Sequence, residues 1–274
     1  MKTKKLLKSV GINSVAWIIS IILITPLVLI FINSLKSSQA AAEMSLRLPD
    51  SIHLENFLTV IKRGKLGTAF LNSLTYSVFS VLLCTLTSSM AAFVLARNRS
   101  KANRIIYFII VLGMAMPINF IALMKVMQTL QIINTKVGII LLYASIQTPF
   151  NVFLIYSFVG KIPRDIDEAA IIDGCSPFRL FFSVIFPLLK PVLVTVMVLT
   201  FLNTWNEYIL PLYFLGSSAN WPMTLAVYNF FGMYFRDWNL VCADIVLTSL
   251  PVIIVYLLGQ KYIVTGMTAG AVKG

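Results

Sequence analysis

Apolar runs alternate with short polar connections along the whole chain. Six such runs stand out, at residues 15–32, 69–96, 105–124, 137–159, from just after Pro191 to about 215, and 240–264. A helix rising about 1.5 Å per residue needs about 20 residues to cross a hydrocarbon layer roughly 30 Å thick, and each run reaches or approaches that length. The pattern therefore predicts an all-α, polytopic membrane protein of six transmembrane helices, with Pro117 interrupting the third. Lys2, Lys4, Lys5 and Lys8 precede the first run, which reads either as a signal peptide cut near Ala40–Ala42 or as an uncleaved anchor; its length favours the anchor. No repeat or long linker breaks the chain, so residues 1–274 are expected to form one membrane domain.

The connection between the fourth and fifth runs, about 161–190, has a different pattern. Pro163 suits the first turn of a helix, and Asp165, Asp167 and Glu168 place negative charge at its positive end. Gly174 is expected to end that helix in a left-handed turn, and Ser176 followed by Pro177 reads as an N-cap restarting the chain as helix. The prediction is a helix-turn-helix elbow. The competing reading of the stretch taken alone, less favoured than the elbow, is an amphipathic loop helix on a membrane surface.

Composition agrees with the pattern: 58% of residues are hydrophobic and 12% charged, and mean hydropathy is +0.88, leaving almost nothing for a separate soluble domain. The net charge of +12 could suggest nucleic acid, but the Lys and Arg sit in short clusters between apolar runs. Membrane topology accounts for them, with no nucleic-acid partner. Fourteen basic residues fall on the side of the termini and the elbow, against eight on the other, which places both termini and the elbow in the cytoplasm. Cys84, Cys175 and Cys242 are far apart and His53 is the sole histidine, so the chain offers neither a metal set nor histidine-based catalysis.

Candidate chemistry is sparse. No glycine-rich loop ends in Gly-Lys-Ser/Thr; Gly160-Lys161 runs on to Ile162, so this chain is not expected to bind ATP. Asn203, Trp205, Asn206 and Glu207 lie near the middle of the fifth run. An intramembrane carboxylate is costly, so Glu207 should face a wet cavity or a partner, and the amides and indole suit a sugar's hydroxyls and ring. A polar contact between helices is the competing explanation. Asp244, about one turn inside the sixth run, is expected to reach the interface and stay hydrated, and Lys125 to snorkel. Ser80, Cys84, Ser88 and Ala92 share one helical face, as small residues do where helices approach closely.

Glu168, Ala169, Ala170, Gly174, Val184 and Pro187 carry a pattern that resembles the cytoplasmic coupling loop of ABC importer permeases, with Cys175 and Phe186 replacing the usual alanine and leucine. Further landmarks extend the resemblance over nearly the whole chain, to the carbohydrate-uptake branch typified by the smaller permease of maltose importers: Ser34-Leu35-Lys36, Asn72-Ser73-Leu74, Asn134-Thr135, Trp205-Asn206-Glu207, Leu250-Pro251 and the stretch from Gly266 to Gly274. Ala122-Leu123 departs from it where relatives often carry a proline. The resemblance implies a second homologous permease, a dimer of ATP-binding ATPase subunits holding ATP and Mg²⁺, and an extracellular solute-binding protein delivering sugar to the bacterial cytoplasmic membrane. It implies that Asp165, Glu168, Ala169, Ala170, Asp173, Gly174 and Pro187 belong to the ATPase-coupling loop. The tail carrying Gly266, Thr268, Gly270 and Lys273 would reach toward the ATPase pair.

Three other readings stay open from sequence. An ion-coupled secondary carrier would use Glu207 and Asp244 as its ion path. A membrane enzyme lacks a visible acid–base pair, and a pure scaffold would need no substrate contact.

Overall fold

The computed structural model describes residues 2–98, 100–230 and 237–271, and these are helical with no strand among them. In chain order the principal helices are α1 (Lys2–Ser34), α2 (Glu55–Arg63), α3 (Leu66–Arg97), α4 (Lys101–Leu112) and α5 (Phe120–Thr129). They continue as α6 (Lys136–Val159), α7 (Asp165–Ile172), α8 (Pro177–Leu188), α9 (Lys190–Asn206), α10 (Ile209–Phe214) and α11 (Trp238–Ala271). Side-chain caps start several of them: Ser100 Oγ accepts from Asn103 N–H at 3.2 Å, Asn119 Oδ1 from Ala122 N–H at 3.0 Å, and Thr135 Oγ1 from Gly138 N–H at 3.0 Å.

Four of the six expected spans are helices long and apolar enough to cross a membrane, within α1, α3, α6 and α11. The other two are broken. The third becomes α4 and α5 with an irregular stretch between them, which starts earlier than Pro117 alone requires. Gly113 ends α4 where an added Cβ would come within 3.0 Å of both Ile110 O and Pro149 Cγ on α6, so close helix approach holds the chain there. The fifth ends early as α9 and continues as α10, and at its start α9 meets the elbow helix α8 with a bend of 78°. Pro187 and Pro191 flank the bend, each withholding an N–H from the helix ladder.

The chain divides into two compact units. In the first, Met1–Gly67 with Ala226–Leu250, buried amides tie loop to helix: Asn56 donates to the carbonyls of Ser34 and Lys36, both at 2.9 Å, and Asn239 Nδ2 donates to Asn56 Oδ1 at 2.8 Å. Lys36 is itself buried, its ammonium held by Asn33 Oδ1 at 3.0 Å and by Ser45 O at 2.8 Å. Asp244 departs from the expected hydrated position. It is 1% exposed, because the neighbouring stretch Leu240–Ala243 is sunk into the core, and neither of its oxygens has a hydrogen-bond partner among the described residues.

The second unit, Thr68–Leu225 with Pro251–Gly274, holds the elbow and the polar residues of the fifth span. Its small-residue stripe behaves as expected: Ser80, Cys84, Ser88 and Ala92 are all 0% exposed. Asn151 of α6 donates to Cys84 Sγ on α3 at 3.1 Å and to Thr200 Oγ1 on α9 at 3.0 Å, so one buried amide ties three helices. Lys125 is solvent-exposed, compatible with snorkelling.

Candidate functional site: the elbow and the polar cavity

The elbow is capped at the atom level as its residues predict. Helix α7 opens with Asp165, Asp167 and Glu168 in its first turn. It closes when Cys175 N–H donates to Ala170 O and Gly174 N–H to Ile171 O, both at 3.0 Å, the paired bonds of a Schellman termination. Gly174 supplies the left-handed residue this closure needs, with φ +77°, and a Cβ there would meet nothing within 4 Å. Ser176 then caps α8, accepting from Arg179 N–H at 3.4 Å, with Pro177 at the first helical position. One turn of α8, Leu180–Ile185, opens to π geometry before Pro187.

The two sides of the elbow differ in chemistry. Ala170, Leu180, Phe181 and Ile185 are buried against Ala92 and Leu95 of α3 and Ile155 and Val159 of α6, and Cys175 and Phe186 pack against the same cluster, as the two replacements require. On the other side Glu168, Ala169, Asp173 and Gly174 are exposed, together with Ile171 at 60%, Ile172 at 85% and Phe178 at 70%. The elbow is thus rooted on one side and presents apolar side chains at the surface on the other. Asp165 and Pro187 are also exposed.

The polar quartet of the fifth span separates. Helix α9 stops at Asn206, well before 215, because Pro211 has no N–H to offer Glu207 O; that carbonyl accepts instead from the Thr224 hydroxyl at 3.0 Å. The Glu207 side chain turns to the next helix, its Oε1 accepting from Ile209 N–H at 2.7 Å and Leu210 N–H at 3.2 Å. Glu207 thus caps α10 rather than sitting at mid-span. Replacing it with alanine is expected to cost about 1 kcal/mol of stability, the typical worth of a lost cap, whereas Glu207→Gln keeps the accepting oxygen and should keep the thermal unfolding temperature of the purified protein.

Asn203, Asn206 and Glu207 line a cavity of about 300 Å³ together with Tyr143, Ile146, Gln147 and Leu210. A second cavity of about 660 Å³ runs along the α4–α5 break and shares Ile146, Gln147 and Asn203 with the first. Asn203 Nδ2 donates to Gln147 Oε1 at a long 3.4 Å, and among the described residues no lysine or arginine lines either cavity. Gln147, on α6, lies among Ser145 and Thr148 within an uncharged run, where one more neutral polar side chain gives no sequence signal of a site. Trp205 does not join its neighbours. It is 1% exposed, stacked on Phe201 with centroids 5.5 Å apart and edge-on to Phe70 at 5.9 Å, so its indole is packing and not a platform for a sugar ring. Gly266, Thr268 and Gly270 fall in the last turns of α11, and Lys273 lies outside the described residues.

Residues 85–269, which include the elbow, the cavity-lining helices and most of the last helix, match the model of a family described as the inner membrane component of binding-protein-dependent transport systems. The chain belongs to that family. This permease is 36% identical over 257 residues to a probable starch degradation products transport system permease protein of Thermoanaerobacterium thermosulfurigenes, covering 93% of the chain and 94% of the relative. It is 33% identical to a diacetylchitobiose uptake system permease protein of Streptomyces coelicolor over 93% of the chain and 85% of the relative. It is 32% identical to a melibiose/raffinose/stachyose import permease protein of Bacillus subtilis, over 82% of the chain and 83% of the relative. Its fold matches the crystal structure of a bacterial ABC transporter involved in the import of the acidic polysaccharide alginate, with TM-score 0.84 and 24% identity over 96% of the chain and 98% of the matched one. The permease is an inner-membrane transport component and not an enzyme, and nothing in these likenesses supports the ion-coupled carrier.

Proposed function

We propose that this permease is one of two that form the translocation path of an ATP-driven importer for a sugar or oligosaccharide. The observation that carries the reading is the elbow: rooted in the core on one side, exposed and apolar on the other. A rigid elbow passes on a rigid-body movement that a flexible loop would absorb. In this reading a pair of ATPase subunits binds and hydrolyses ATP with Mg²⁺ and docks on Asp165, Glu168, Ala169, Asp173 and Gly174, while Ala170 roots the elbow in the core and the α8 segment around Pro187 passes the movement to α9. The tail with Gly266, Thr268, Gly270 and Lys273 extends toward the ATPases, both termini are cytoplasmic, and a solute-binding protein delivers the sugar from outside.

Asn203, Asn206 and Glu207 serve as the path on this subunit, joined by Gln147. Amides offer both donors and acceptors to sugar hydroxyls, and a lining that among the described residues has one carboxylate and no cation favours an uncharged sugar over an acidic one. The names of the relatives, which speak of starch products, diacetylchitobiose and melibiose, support that class.

The test is uptake by membrane vesicles carrying the assembled transporter and its binding protein, with labelled raffinose, melibiose, diacetylchitobiose and a malto-oligosaccharide. Uptake of at least one is expected to require internal ATP and to persist when ionophores collapse the ion gradients. Uptake that stops with the gradient and ignores ATP would contradict the proposal.

A further inference from the structure

The elbow is held to the long helices by a part-buried ion pair that joins residues 70 positions apart. Arg97, in the last turn of α3, meets Asp167 of α7: Nε lies 2.6 Å from Oδ2 and Nη2 donates to Oδ1 at 3.1 Å. Both side chains are close to sealed, at 14% and 13% exposure. The same guanidinium donates through Nη1 to the carbonyls of Ile162 at 3.0 Å and Val159 at 3.4 Å, the end of α6 and the turn after it. Arg164, just ahead of α7, donates back to Arg97 O at 3.2 Å. A planar fork with five donors is the one side chain able to hold a carboxylate and two carbonyls together in fixed geometry.

We propose that Arg97 and Asp167 are positioning residues for energy coupling: they lock α7 to the ends of α3 and α6, so that a displacement applied at the elbow moves those two helices as one body. This rests on the function proposed above. The packing of Ala170 and Phe181 supplies adhesion, which tolerates sliding. The charged fork supplies register, because a shift of α7 of even one residue would leave a carboxylate and a guanidinium, both mostly shielded from solvent, unpaired. Asp167 points inward, so it is a link within the permease and not part of the exposed docking face.

The experiment uses the complete transporter, with its second permease, ATPases and binding protein, in liposomes. Asp167→Asn keeps the shape and an accepting oxygen but removes the charge, and Asp167→Glu restores the charge. In Asp167→Asn the ATPases are expected to co-purify normally while ATP consumed per sugar imported rises about tenfold, within the span by which residues along a coupling route alter it; Asp167→Glu should return most of that ratio. A protein merely destabilised would lose hydrolysis and uptake together at an unchanged ratio, and that result, or an unchanged ratio with normal uptake, overturns the inference. Loss of the ATPases from Asp167→Asn also overturns it, by making Asp167 a docking residue. Independently of any charge variant, spin labels at positions 94 and 153, on the exposed faces of α3 and α6, should keep one distance between the nucleotide-free and ATP-bound complex; a change of distance overturns it. Absence of ATP-dependent uptake in the unaltered complex overturns the functional reading and this inference with it.

Discussion

Gly174→Asp is expected to reduce ATP-dependent uptake to about one hundredth or less, equivalent to roughly 3 kcal/mol lost in a docking equilibrium, while leaving the chain inserted in the membrane. Two observations divide the effect. At φ +77° a side chain pays backbone strain of about 1–2 kcal/mol, and Asp and Asn tolerate that region better than most residues. Within the chain the new side chain meets nothing, since even its Cβ has no neighbour within 4 Å. The strain alone is too small to unfold the elbow, and the open space removes any internal clash. A near-complete loss must therefore come from what approaches the elbow from outside. Gly174→Asn carries similar strain without the charge and should fall between the two. Uptake rates beside immunoblots of the membrane fraction measure both quantities, and normal uptake by the aspartate variant would remove the elbow from the mechanism.

Trp205→Ala should act on stability instead. The indole fills a site of 1% exposure between Phe201 and Phe70, and its removal leaves a cavity costing about 3 kcal/mol, at the lower end for Trp→Ala because lipid tails replace the transfer contribution that water would add. In a thermal unfolding assay of the purified transporter this corresponds to a drop of roughly 5–10 °C. Trp205→Phe keeps an aromatic ring against Phe201 and should recover much of the loss. The transporter that does assemble is expected to show an unaltered KM for sugar. A raised KM with unchanged unfolding temperature would mean that the indole reaches the path after all.

These two residues mark how far the sequence alone could be read. Gly174 sits in a local motif, and a Schellman turn followed by a Ser-Pro cap depends on neighbours within six residues, so its geometry was legible in full. Long apolar runs such as 15–32 and 137–159 were legible because length alone decides them. Where a span broke, the cause lay elsewhere in the chain. Gly113 stops α4 against Pro149, and the Glu207 carbonyl left free by Pro211 is taken by Thr224, neither of which periodicity can display. Trp205 and Asn206 are adjacent in sequence yet face opposite environments, because helical geometry turns each residue by about 100° from the last. Asp244 looked hydrated by position, but the packing of its neighbours buries it. The Arg97–Asp167 link was beyond reach altogether, since each residue had a sufficient local explanation, one as a cytoplasmic charge and the other as a helix-dipole partner.

The central claim is that the elbow is the docking surface through which a separate ATPase drives this permease. Its most direct test is to purify the tagged permease from its native membrane in mild detergent, beside the Gly174→Asp form, and to identify what accompanies each by mass spectrometry. The account predicts a second permease of the same family with both forms, and an ATPase with the unaltered form alone. Recovery of the permease without either companion, or of the ATPase equally with both forms, would contradict it.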